Sequence, residues 1–172
     1  MKTLIILAHP NIANSLVNRH WRDAVLAHPD KFELHDLYAL YADFKIDVEK
    51  EQSLLESHDK IVLQFPLRFS NCTPLLKQWL EDVFTRGWAY GGENGGKLKG
   101  KKFALAISLG ATRENYDKTA SWALAWMRCS RLLRLRFVSS ARRRCRISSH
   151  TAFLTIAASA PWKTARKTIS NI

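Results

Sequence analysis

The chain has 172 residues, 47% of them hydrophobic and 10% aromatic, and a formal charge of +12. That length and apolar content support one domain of ordinary size and exclude a disordered or collagen-like polymer. No run approaches the ~20 apolar residues of a membrane-spanning helix. Cys72, Cys129 and Cys145 show neither metal-like nor C-x-x-C spacing, which fits a reducing compartment and no disulfide scaffold.

The first element is an apolar run over residues 2–8, short enough for a buried parallel strand and ended by His9 and Pro10. It is too short, and too soon followed by His9-Pro10, to read as a signal peptide. Asn11, Asn14 and Ser15 make a polar loop, and Ser15 is a natural N-cap for a helix over Leu16 to Leu26. Neither G-x-G-x-x-G nor G-x-x-x-x-G-K-[ST] occurs in the chain. A phosphate here would be held by hydroxyls, amides and backbone N–H groups with His9 nearby. An ordinary capped strand–loop–helix accounts for the same residues.

The stretch from Lys60 to Tyr90 repeats the arrangement. Ile61, Val62, Leu63 and Phe65 form a second buried strand that Pro66 stops, because proline cannot donate to the ladder. Arg68, Ser70, Asn71 and Thr73 follow as a polar loop, with Thr73 as N-cap and Pro74 at the first helical position. Leu75, Leu76, Trp79, Leu80 and Val83 repeat at helical spacing, and Gly87 is expected to end the helix. In an open α/β sheet, ligands bind where strands run into such loops at helix N-termini. Residues 91–100, GGENGGKLKG, read as a flexible loop before a strand over Lys102 to Ile107.

Several chemistry-bearing residues have plainer readings. Cys72 fits a small buried residue better than a nucleophile, since no histidine lies near it in sequence. His35 reads as structural, His58-Asp59 as capping or solvating a strand, and the acidic run from Asp43 to Glu56 as a solvated helix face. Trp79 and Trp88 are expected in the core and on a dimer surface.

Four pieces then carry a family resemblance: LAHPNIANSLVNR at 7–19, HDLYALYADFKIDVEKEQ at 35–52, HDKIVLQFPLRFSNCTPLLKQWLEDVFTRGWAYG at 58–91, and GKLKGKKFALAISLGATRENY at 96–116. Their content and order resemble the flavodoxin-like NAD(P)H:quinone oxidoreductases. The bacterial branch holding general-stress NAD(P)H oxidoreductases and ancillary subunits of glutathione-gated potassium efflux systems is the nearest. The resemblance implies a doubly wound parallel sheet of order 2-1-3-4-5, with strands near 2–8, 31–35, 60–65 and 102–108. It implies a cytoplasmic flavoenzyme, binding FMN or FAD, with NAD(P)H as co-substrate and ping-pong transfer of two electrons to a quinone. A homodimer is expected, and no metal and no nucleic-acid partner. The alternative it carries is a regulatory subunit docked on a potassium antiporter, at the inner membrane through that partner.

The same resemblance assigns residues. His9, Asn14, Ser15, Leu16 and Asn18 fall where the family's first loop holds the flavin phosphate. Pro66, Leu67, Arg68, Phe69 and Ser70 fall along the flavin ring, with Arg68 where many relatives have an aromatic residue. Ser108, Leu109, Gly110 and Ala111 fall on the third loop, which keeps one glycine of a usual pair. Tyr116 falls at the substrate end, where it could donate a proton.

The chain changes character after residue 120. Residues 1–120 hold 16 basic and 15 acidic residues; residues 121–172 hold 11 basic residues and no acid. A basic appendage for nucleic acid or anionic lipid, a solvated tail and a shifted reading frame all fit. The shifted frame is preferred. The family has a segment of the type Asp/Glu-Glu-Leu-Leu-x-Pro-Phe near here, and the TGG and ATG codons of Trp126 and Met127 read GAT, aspartate, across their junction. On that reading residues 1–120 are the flavodoxin-like domain, residues 121–172 are an atypical basic segment, and the last strand and helix are absent or scrambled.

Overall fold

A computed structural model describes residues 1–69, 71–92 and 95–110. Four strands, β1 (Thr3–Leu7), β2 (Phe32–Asp36), β3 (Lys60–Pro66) and β4 (Lys102–Ser108), form one sheet of order β2-β1-β3-β4. All three pairings are parallel, so every strand ends on the same side of the sheet. This is the start of the expected 2-1-3-4-5 order; the place of a fifth strand lies outside the described residues.

The helices are α1 (Leu16–Leu26), a four-residue α2 (Leu37–Leu40), α3 (Val48–Glu56) and α4 (Pro74–Val83). Successive side chains of a strand point to opposite faces. Leu4 and Ile6 accordingly pack with Leu37, Leu55, Leu75, Leu76 and Trp79 of α2, α3 and α4. Ile5 and Val62 pack on the other face with Trp21 and Val25 of α1. Both sheet faces are thus apolar along β1 and β3, which is why those strands read as continuous hydrophobic runs.

Several details differ from the sequence reading. Helix α4 stops at Val83 with Phe84 as its C-cap, so Gly87 does not end it. Gly87 has φ of +92° and opens a separate turn, closed by its N–H donating to the Tyr90 carbonyl at 2.8 Å. Residues 95–100 of the glycine-rich stretch are tied down: the Gly96 and Lys97 N–H groups both donate to the Trp88 carbonyl, and Leu98 is buried. The acidic run is not uniformly solvated, since Glu51 is fully buried. His58 is buried as well, donating from Nδ1 to the Leu54 carbonyl while its Nε2 faces Glu33 at 3.2 Å. The short α2 had no periodic signal; Asp36 caps it, accepting from the Tyr38 and Ala39 N–H groups.

Candidate ligand site at the carboxyl ends of the strands

Three loops leave the same end of the sheet, after β1, β3 and β4, and hydrogen bonds stitch them together. The Ala8 N–H donates to the Gln64 carbonyl at 2.8 Å, and the Leu67 N–H to the Ser108 carbonyl at 2.9 Å. Thr73 was expected as a side-chain cap of α4. Its hydroxyl makes no cap bond and instead donates to the Ala8 carbonyl at 3.2 Å, tying the third strand's loop to the first.

The first loop folds as its residue types dictate. Asn11 accepts from the Asn14 N–H at 3.4 Å and starts a single 3₁₀ turn, Ile12–Asn14. Ser15 then leaves the helical region, at φ −90° and ψ 118°, and its hydroxyl oxygen accepts from the Asn18 N–H at 3.2 Å. Leu16 and Val17 stand in the first turn, where the helix supplies no carbonyl to their N–H groups. Leu16 is 80% exposed beside them.

His9 sits at the mouth of this loop, half-buried. Its Nδ1 accepts from the Asn11 N–H at 3.1 Å, so in the neutral ring the proton is on Nε2. Burial lowers its pKa from 6.5 and the Arg68 guanidinium lowers it further, against an opposing pull from Asp36. That coupling brings the charge of the second loop to bear on the first.

The second loop is a tight turn in which Arg68 and Asn71 exchange N–H···O bonds, both 2.8 Å. At its tip Phe69 has φ of +44° and is fully exposed. A bulky side chain in that region is strained by about 1–3 kcal/mol, and such strain gathers at functional sites. The turn holds an aromatic surface in solvent and a guanidinium beside it.

The predicted residues separate clearly. His9, Asn14, Ser15, Leu16, Pro66, Leu67, Arg68, Phe69, Ser108, Leu109 and Gly110 all lie on the three loops or the strand ends that bear them. Asn18 points inward and is 1% exposed, its amide bonded to Ser108 Oγ at 2.7 Å. Ser70, Ala111 and Tyr116 lie outside the described residues. The sequence reading missed Gln64, a buried partner of Asn18. A lone glutamine inside the apolar run IVLQF was the available signal, because a buried amide must find partners.

Comparison with known proteins agrees with this fold. A family model described as a flavodoxin-like fold matches residues 1–134. The NAD(P)H oxidoreductase YdeQ of Bacillus subtilis is 52% identical over 117 residues, 68% of this chain and 58% of that protein. KefG of Cronobacter sakazakii, an ancillary protein of a glutathione-regulated potassium-efflux system, is 43% identical over 115 residues, 67% of this chain and 61% of its own. The chain therefore spans less than two thirds of the length of these curated relatives. Among solved structures, general stress protein 14 of Treponema denticola in complex with FMN superposes with a TM-score of 0.78 at 50% identity, covering 84% of this chain and 83% of that one. An NADPH-quinone reductase from P. pentosaceus gives a TM-score of 0.75 at 26% identity, covering 97% and 92%. With the parallel order β2-β1-β3-β4 and the family match over residues 1–134, the chain belongs to the flavodoxin-like fold family.

Proposed function

We propose that the chain binds flavin mononucleotide across the three loops and transfers electrons from NAD(P)H to a quinone. The observation that carries the reading is that the carboxyl ends of β1, β3 and β4 meet beside the Ser15-capped N-terminus of α1, where the Asn18 amide reaches Ser108 Oγ at 2.7 Å. The residues present fit the group. A helix N-terminus with first-turn N–H groups, a hydroxyl and a histidine Nε2–H favours a phosphate. Exposed Leu16 and Phe69 offer apolar surface for a planar ring. Arg68 adds positive charge where a reduced ring would be anionic. The FMN complex of the Treponema denticola relative and the NAD(P)H oxidoreductase of Bacillus subtilis support the assignment.

Bound flavin would supply hydride acceptance and two-electron storage, which no side chain has. The chain's own part is to hold and tune. His9 offers its Nε2–H, the 68–71 turn presents Arg68 and Phe69, and hydrogen bonds hold β1 to β3 and to the loop after it. Ser70, Ala111 and Tyr116 complete the proposed site, Tyr116 as proton donor to the quinone. On this reading the chain works in the cytoplasm as a homodimer.

The test is the visible spectrum and steady-state kinetics of the purified full chain. We expect bound flavin absorbing near ~450 nm. NAD(P)H oxidation should depend on added quinone, with parallel double-reciprocal lines. Absence of flavin binding would overturn the cofactor, and intersecting lines the ping-pong order. The KefG relative supports a second reading, an ancillary subunit of a potassium efflux antiporter. Flavin binding without turnover, together with co-purification of a membrane antiporter, would favour it.

A further inference from the structure

Beneath the loops runs a buried polar chain with a direction. Gln64 of β3 is 2% exposed, Asn18 of α1 is 1% and Ser108 of β4 is 8%. Gln64 Nε2 donates to the Asn18 backbone carbonyl at 3.0 Å and to its side-chain Oδ1 at 3.4 Å. Asn18 Nδ2 donates to Ser108 Oγ at 2.7 Å and to Ser15 Oγ at 3.4 Å. Ser15 Oγ also accepts the Asn18 backbone N–H at 3.2 Å.

The direction follows from counting donors. The Asn18 carbonyl can only accept, so it holds the NH₂ end of Gln64 toward α1. That NH₂ end can only donate, so Asn18 must turn its Oδ1 toward Gln64 and its Nδ2 toward the two serines. A serine oxygen that accepts from Nδ2 keeps its own hydrogen to give elsewhere. With the Asn18 amide reversed, two NH₂ groups would face each other. Both serine hydroxyls would then spend their hydrogens on the Asn18 oxygen.

We propose that Gln64 is a positioning residue: by fixing the orientation of the Asn18 amide it makes the Ser15 and Ser108 hydroxyls donors to the anionic ligand at the N-terminus of α1. The inference rests on the flavin phosphate reading and adds what aims its donors. Asn18 acts on this account from below the ligand and never touches it.

Two near-isosteric variants of the full chain test it, with FMN affinity measured by quenching of flavin fluorescence between pH 5 and pH 8. Gln64→Glu puts an acceptor where a donor stood, so the amide reverses. The affinity relative to wild type should fall about tenfold or more at pH 8, the worth of a lost hydrogen bond to a charged group, and recover as the introduced carboxyl protonates. Gln64→Met carries neither donor nor charge, so its affinity should fall several-fold at every pH. Met at wild-type affinity overturns the proposal, because the loss in Gln64→Glu is then charge repulsion alone. A pH-independent loss in Gln64→Glu also overturns it. If Gln64→Glu fails to melt cooperatively, Asn18→Asp replaces it, since it too turns an acceptor on both serines and should lose affinity with the same pH dependence. Wild type that binds no FMN refutes the flavin reading itself and is distinguishable from either result.

Discussion

Glu51 is a single residue that ties four elements of the fold together. Its carboxylate has no exposure, yet it accepts from Tyr41 Oη at 2.6 Å and Trp79 Nε1 at 2.8 Å, with His35 Nε2 2.8 and 3.0 Å from its two oxygens. Those partners come from β2, from the C-cap of α2, and from α4, so one side chain joins three elements to α3. Burial pushes its pKa up, but the bonds from His35, Tyr41 and Trp79 outweigh burial and the net shift is downward from 4.5. The Tyr41 phenol is pushed far above its ordinary value by burial and by its bond to the same carboxylate. Glu51→Leu leaves the buried Tyr41 and Trp79 donors and the half-buried His35 without an acceptor and should cost about 3–5 kcal/mol in urea unfolding. The pH dependence has a definite sign. A carboxyl whose folded pKa lies below its unfolded value stabilises fully above pH 4.5, and that contribution is lost as pH falls toward the folded pKa. Wild type should therefore lose stability below pH 4.5 more steeply than Glu51→Gln. Parallel acid-unfolding curves for the two would show that Glu51 contributes no such linkage.

On the proposed flavin reading, helix α1 would do two jobs at its N-terminus, capping itself and holding a phosphate, and they can be separated. Aspartate caps a helix about as well as serine. Ser15→Asp should keep the melting temperature within the range of a surface change while placing an anion against the bound phosphate, so flavin content should vanish. Ser15→Ala should cost about 1 kcal/mol of stability and weaken binding less. Unchanged flavin in the aspartate variant would remove the phosphate from this helix end. The bounds of α1 and the start of α4 are legible in the sequence because their signals are local: Ser15 before an amphipathic run, Pro74 at a first turn. What is not legible is whatever depends on distant partners. Gln64 meets Asn18 46 residues away, and Asn18 meets Ser108 90 residues away. Thr73 abandons its expected cap for a carbonyl 65 residues back. Glu51 lies one turn before buried Leu55, in phase with the apolar face, but its acceptor role exists only once β2 and α4 are in place.

At the scale of the whole molecule, the chain is two stretches of different physics. Residues 1–120 are nearly neutral, while residues 121–172 carry 11 basic residues and no acid. Packing against the domain would bring those cations together with no carboxylates of their own to pair with, so self-repulsion opposes docking. A sequence read in a shifted frame would also lack the agreement between local pattern and fold that marks a foldable segment. Limited trypsin digestion follows both arguments, because every cut needs Lys or Arg and the region 128–146 has eight. We expect cleavage throughout 128–146 while the first 120 residues survive. A basic segment built to pack or to bind gives the opposite pattern, a protected tail whose affinity for nucleic acid or anionic lipid falls steeply with salt. The same experiment bears on β4, which forms the edge of the sheet among the described residues. If trypsin removes the tail without changing the melting temperature, the tail gives that edge no stabilising cover, and aggregation through β4 should rise with concentration. A fall in melting temperature on trimming would show that residues beyond 120 pack on the sheet, and would overturn the shifted frame.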